Sequence, residues 1–98
     1  MYTIYVVQKT MDGHREDFIR ELTEAGVVAA VRAEEGCYRY DYYYSEKDPN
    51  EILLLEAWES REHQQVHLTQ PHMDTLRKIM AKHVVIRTSD ISRKSSLA

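Results

Sequence analysis

Ninety-eight residues, 43% hydrophobic and 30% charged, fit one soluble globular domain with a single core and leave no room for a second. A net charge of -3 with scattered Lys and Arg argues against a nucleic-acid binder, because phosphate binding needs a surplus of positive charge on some face. No apolar run approaches the roughly 20 residues that span a bilayer, no signal-peptide pattern opens the chain, and a lone cysteine, Cys37, makes no internal disulfide. A cytoplasmic protein without membrane partners is expected.

In chain order, "YTIYVVQK" at 2–9 is β-branched and aromatic and predicts a strand. Asp12-Gly13 make a turn. From His14 to about Ala33 the apolar positions Phe18, Leu22, Ala25 and Ala29 recur at helical spacing, which predicts one long amphipathic helix ending near Gly36. "CYRYDYYYS" follows as a second strand, with Tyr38, Tyr40, Tyr42 and Tyr44 at period two on one face. After the turn Lys47-Asp48-Pro49-Asn50, "EILLLEAW" predicts a third strand whose continuous apolar centre points to burial on both faces. Ser60 is placed to cap a short helix carrying His63 and His67. Pro71 disfavours helical geometry at Gln70 and can open a further helical segment through about Lys82. "HVVIRTSDI" is the last strand. His14 and His83 sit at element ends and are expected at the surface.

The order β-α-β-β-α-β predicts an α+β, ferredoxin-like domain over 1–91, with both helical layers on one face of an antiparallel sheet and a flexible tail at 92–98. Val6, Val7, Leu53, Leu54, Leu55, Val84, Val85 and Ile86 put apolar groups on both sides of that sheet, and helices cover only one. A homodimer through the bare sheet faces is the expected cover.

His63 and His67 stand four residues apart, a spacing that lets two imidazoles chelate one ion on a helix face. In the zinc-protease helix the residue after the first histidine is a Glu acting as general base; here it is Gln64, so that chemistry is absent and no metal is expected. An acid/base role suits histidine better, as the side chain titrating nearest neutrality. His67 and His72 flank the Pro71 break, where side chains can turn into a cavity between helix and sheet. Trp58 reads either as a core aromatic or as a flat wall for a planar ligand. The tyrosine stripe reads first as a packed strand face, with one or two hydroxyls free to orient a ligand oxygen. Cys37 reads as a small buried residue, and Glu56 as the partner of a basic group. No Gly-rich dinucleotide fingerprint or Cys cluster announces a cofactor.

With these elements placed, "EEGCYRY" at 34–40 and "EAWESREHQQVHLTQPHM" at 56–73 resemble the antibiotic-biosynthesis monooxygenase superfamily, small dimeric ferredoxin-like proteins that include quinol monooxygenases. The resemblance runs from strand one to about Ile91, and Glu56, Trp58, His63, His67 and His72 match position by position. It implies cofactor-independent oxidation of a quinol or other electron-rich phenolic with molecular oxygen as co-substrate. His67 and His72 would be catalytic and Trp58, Glu56 and His63 would bind substrate, with Tyr40 and Tyr42 added from the strand pattern as the hydroxyls placed to orient it. Haem-degrading relatives carry a helix Trp near the position of His67 and an Asn in strand one; this chain has His67 and Gln8 there. A non-catalytic dimeric binding or stress-response module, and an isomerase of a phosphorylated signalling sugar, are the alternatives.

Overall fold

The computed structural model describes residues 1–92. Its elements are β1 (Tyr2–Thr10), α1 (Arg15–Glu24), α2 (Val27–Arg32), β2 (Cys37–Tyr44), β3 (Glu51–Trp58), α3 (Arg61–His67), α4 (Pro71–His83) and β4 (Val84–Ser92). The strands form one antiparallel sheet in the order β2-β3-β1-β4, with the helices on one side, as the element order predicts. β4 reaches Ser92, and the remainder of the expected tail lies outside the described residues.

Alternation along the central strands selects the covered face. Ile4, Val6, Gln8 and Thr10 of β1 and Ile52, Leu54, Glu56 and Trp58 of β3 are buried, while Tyr5, Val7, Leu53 and Leu55 stay half-exposed on the other side. Phe18 and Leu22 of α1, Val27 and Val31 of α2, and Met73, Leu76 and Ile79 of α4 close over the first set to make the core. No helix among the described residues is long and apolar enough to cross a membrane.

Three sequence expectations change. The long helix from His14 to Ala33 is two helices, because Gly26 takes a left-handed conformation (φ 75°) and starts α2 in a new direction. The tyrosine stripe loses Tyr38, because the β2–β3 register shifts between Cys37 and Arg39, while Tyr40, Tyr42 and Tyr44 keep one parity opposite Glu56, Leu54 and Ile52. Tyr40 is buried and Tyr42 packs edge-on against Phe18, whereas Tyr38 is exposed and Tyr44 lies under the Arg15 guanidinium, 4.1 Å from its ring centre. His83 is buried rather than surface-exposed: it continues the Leu76/Ile79 face of α4, and its Nδ1 meets His14 Nδ1 at 3.0 Å while Nε2 lies 3.1 Å from Glu21 Oε1.

Local chemistry sets the geometry around α3. The Ser60 hydroxyl accepts the His63 backbone N–H (3.2 Å), satisfying one of the free donors of the first turn. Pro71 opens α4 while Gln70 stays extended (ψ 145°), so the chain turns sharply between His67 and His72. Gly36, at φ 79°, sits directly beneath His63: a Cβ there would lie 2.6 Å from the ring's Cγ. Gly36→Ala is therefore expected to cost roughly 1–3 kcal/mol from backbone strain alone, plus the clash. In a His63→Ala background the same change should cost less, and a double-mutant cycle of thermal melts measures the difference. Equal costs in both backgrounds would remove the contact from the account.

Candidate active site

A cavity of about 370 Å³ opens between the covered sheet face and helices α3 and α4, within the size range of small-molecule sites. Ile4, Leu54, Gln8 and Glu56 form its sheet side with Tyr40 and Tyr42. Gln64, His67, Leu68, Met73, Leu76 and Met80 face them from the helices, and Tyr2, Arg61, Gln65 and Arg87 complete the wall. The walls are mixed: Ile4, Leu54, Leu68, Met73, Leu76 and Met80 supply apolar surface, and Gln8, Glu56, Gln64, His67 and Arg87 are among the polar groups set between them.

His67 is the most constrained of these. It is 2% exposed, its ring lies against Trp58 at 4.6 Å between centres, and its Nδ1 meets Glu34 Oε2 at 2.8 Å. His72 Nε2 meets the same oxygen at 2.7 Å. A carboxylate offers only acceptors, so the geometry suits donation from both ring nitrogens to Glu34, and a His67 ring that donates through Nδ1 while neutral has its lone pair on Nε2. That nitrogen is 3.9 Å from Glu56 Oε1, and both residues line the cavity. The arrangement is a base held in one tautomer by a buried carboxylate.

Burial pushes the Glu56 carboxyl above its usual range, and the opposing pull of the Trp58 N–H and of His67 does not restore it. Trp58 donates its indole N–H to Glu56 Oε1 at 3.1 Å. Burial likewise drives the Tyr40 hydroxyl well above the normal tyrosine range and Tyr42 up to about 12, so both remain protonated near neutrality and can donate hydrogen bonds. Gln8, 1% exposed, has its Oε1 buried without a hydrogen-bond partner among the described residues. An unmet buried acceptor costs about 1–3 kcal/mol, and a ligand hydroxyl entering the cavity would satisfy it.

The structure thus gathers His67, Glu56, Tyr40 and Tyr42 on one cavity. Trp58 does not line it; fully buried, it backs His67 and holds Glu56. His72 stands beyond Glu34, 22% exposed. His63 lies elsewhere, bonded through Nδ1 to Ser60 Oγ (2.6 Å), in a second cleft of about 390 Å³ lined also by Glu34, Glu35, Glu62, Val66 and Gln70. The metal-capable donor set among the described residues is accordingly Glu34, His67 and His72, all within 4.8 Å of one another, rather than the His63/His67 pair. Cys37 is half-buried, and burial raises its thiol above the ordinary value, consistent with an unreactive packing residue. Glu34 and Gln8 carry the largest share of what residue-by-residue reading did not assign.

This geometry sits in a familiar setting. The sequence model for antibiotic biosynthesis monooxygenase matches residues 1–78. The chain belongs to that family. The "Probable quinol monooxygenase YgiN" of Escherichia coli K12 is 31% identical to it, the match covering 74% of this chain and 78% of the relative. Among solved structures, one described as "Putative antibiotic biosynthesis monooxygenase from Nitrosomonas europaea" superimposes with a TM-score of 0.85 at 24% identity, covering 97% of this chain and 99% of the other. A Pseudomonas aeruginosa protein gives 0.83 at 23% identity over 97% and 94%. These structural likenesses carry the fold, and the family membership supports a monooxygenase-like function.

Proposed function

We propose that this family member oxidises a quinol or other electron-rich phenolic with molecular oxygen and no added cofactor. The observation that carries the reading is the His67 ring, held through Nδ1 against Glu34, with its other nitrogen 3.9 Å from Glu56 at a cavity of mixed lining large enough for a small aromatic. Gln8 Oε1 supplies an unmet acceptor for one hydroxyl of the substrate. His67 Nε2 takes the proton of the other, and the phenolate, far easier to oxidise than the neutral phenol, gives an electron to oxygen. One oxygen atom enters the ring and the second leaves as water, so hydroquinone and O₂ yield hydroxyquinone and water with the substrate as sole reductant. Tyr40 and Tyr42, kept protonated by burial, and Arg87 on the cavity wall stabilise the anion.

Oxygen uptake with a panel of hydroquinones tests the reading, with peroxide measured alongside. Consumption of one O₂ per quinol without peroxide is the expected result. Quinone plus stoichiometric peroxide would make the protein an oxidase, and no uptake with any member of the panel would favour the binding-module alternative.

The same reading includes a homodimer through the bare sheet face. Val7, Leu53 and Leu55 remain half-exposed there in the single chain, and Ile86 is 55% exposed opposite Lys9 in the register. Apolar area of this kind is stabilised by removal from water at about 25 cal/mol per Å². Sedimentation is expected to give about twice the 11.6 kDa chain mass, and Leu53→Lys, which places a charge in the middle of the face, should shift the protein to monomer. A monomeric wild type at micromolar concentration would exclude this assembly.

A further inference from the structure

We propose that Glu34, His67 and His72 form a binding site for a first-row divalent cation of the zinc type, reached from the cleft beside His63. The three donors come from separate elements: the turn after α2, the last residue of α3 and the second residue of α4. The bend at Pro71 is what brings the two imidazoles to one carboxylate oxygen, Nδ1 of His67 from one side and Nε2 of His72 from the other. Two imidazoles and a carboxylate are a ligand set that zinc takes up in catalytic-type sites, leaving a fourth position for water.

The charge balance favours a cation. Glu34 is 10% exposed, and its ion-pair partners among the described residues are those two histidines, with no Lys or Arg. A buried carboxylate without a permanent counter-charge is costly, and a divalent ion supplies one. Among the described residues the cleft onto which Glu34 opens is also lined by Glu35 and Glu62 and by no Lys or Arg, giving a negative approach for the ion. Distances need only a small adjustment. Donors about 2.1 Å from a tetrahedral ion lie roughly 3.4 Å apart. The present 2.7 and 2.8 Å contacts would open slightly as the shared protons leave, and the two ring nitrogens, no more than 4.8 Å apart, would close. Glu56, 3.9 Å from His67 Nε2, stands where ligating histidines commonly find an outer carboxylate.

Occupancy would change the chemistry of His67. A neutral imidazole that gives its Nδ1 lone pair to the ion carries its proton on Nε2, so the acceptor facing the cavity is lost. The ion is therefore an inhibitor of the proposed oxidation and not its cofactor. Binding stands apart from that reading, and only the inhibition rests on it.

Chelator-treated protein titrated with Zn²⁺ by calorimetry, and with Co²⁺ by visible absorption, should saturate at one ion per chain in the micromolar range, and Zn²⁺ should raise the melting temperature. Glu34→Gln and His72→Ala should each weaken binding by more than the roughly 10–100-fold typical of losing an outer partner, while His63→Ala leaves it unchanged. If Glu34→Gln fails to fold, the partly exposed His72 still provides the test. No saturable binding at submillimolar ion, or binding lost equally in His63→Ala, overturns the site. Binding with undiminished oxygen uptake keeps the site and removes His67 as the base, so the two readings fail separately.

Discussion

His67→Ala is expected to lower quinol oxidation by about 10²–10⁴-fold, the usual contribution of a placed proton acceptor. The His67 ring is 2% exposed, packed at a 35° tilt against Trp58 and tied to Glu34 through Nδ1, which leaves Nε2 toward Glu56 and the cavity that both residues line. The same burial means that alanine also leaves a void and deprives Glu34 of a donor, a stability cost of about 1–3 kcal/mol. His67→Gln separates the two effects. Its amide can still donate to Glu34 and fill much of the space, yet it has no basic nitrogen. Steady-state oxygen uptake and thermal melts on both variants should show the same large rate loss with a smaller drop in stability for Gln. His72→Ala should cost far less in rate, because that ring reaches His67 only through Glu34. Full turnover in His67→Gln would sink the base assignment.

What the sequence shows of this site follows the range of the interactions. Ser60 and Pro71 act within a few residues, through a hydroxyl cap and a steric restriction, and α3 and α4 begin where that chemistry places them. Glu34 meets His67 and His72 across 33 and 38 residues, and no local pattern marks such a contact. Its one trace is its place in the "EEGC" stretch that carries the family resemblance. Gln8 and His83 were legible in principle. Gln8 shares strand parity with Ile4 and Val6, and His83 helix phase with Leu76 and Ile79, so each is a polar residue on a core-facing position. The tyrosine stripe misleads at Tyr38 for the opposite reason: period two presumes an unbroken register, and the shift at Cys37/Arg39 is a property of the pairing with β3. Helix α1 ends early because Gly26 offers a conformation that the apolar spacing does not record.

Trp58→Ala should be the most destabilising change in the chain, about 3–5 kcal/mol, against a total stability of roughly 5–15 kcal/mol for a domain. Trp58 is fully buried at the end of β3, paired with Tyr2 in the register, and the base of His67 rests on its ring. At about 4–8 °C per kcal/mol for a domain of this size, the melting temperature should fall by at least about 12 °C. Two mechanisms add in that loss: the void, and the departure of the indole N–H that satisfies Glu56 Oε1. Trp58→Phe weights the second, because phenylalanine removes the donor and leaves a smaller void than alanine, so its cost should be about 1–3 kcal/mol from the lost hydrogen bond plus a smaller packing loss. Glu56 would then sit in the same burial with one fewer hydrogen bond to its charged form, and its carboxyl, already raised, should rise further. Thermal melts of the two variants, with the Glu56 titration followed by carbon NMR, give the comparison. If Phe destabilises as much as Ala, the hydrogen bond outweighs the packing. If Glu56 titrates unchanged in Trp58→Phe, the indole does not hold that carboxylate, and its part in shaping the cavity falls to the apolar contacts alone.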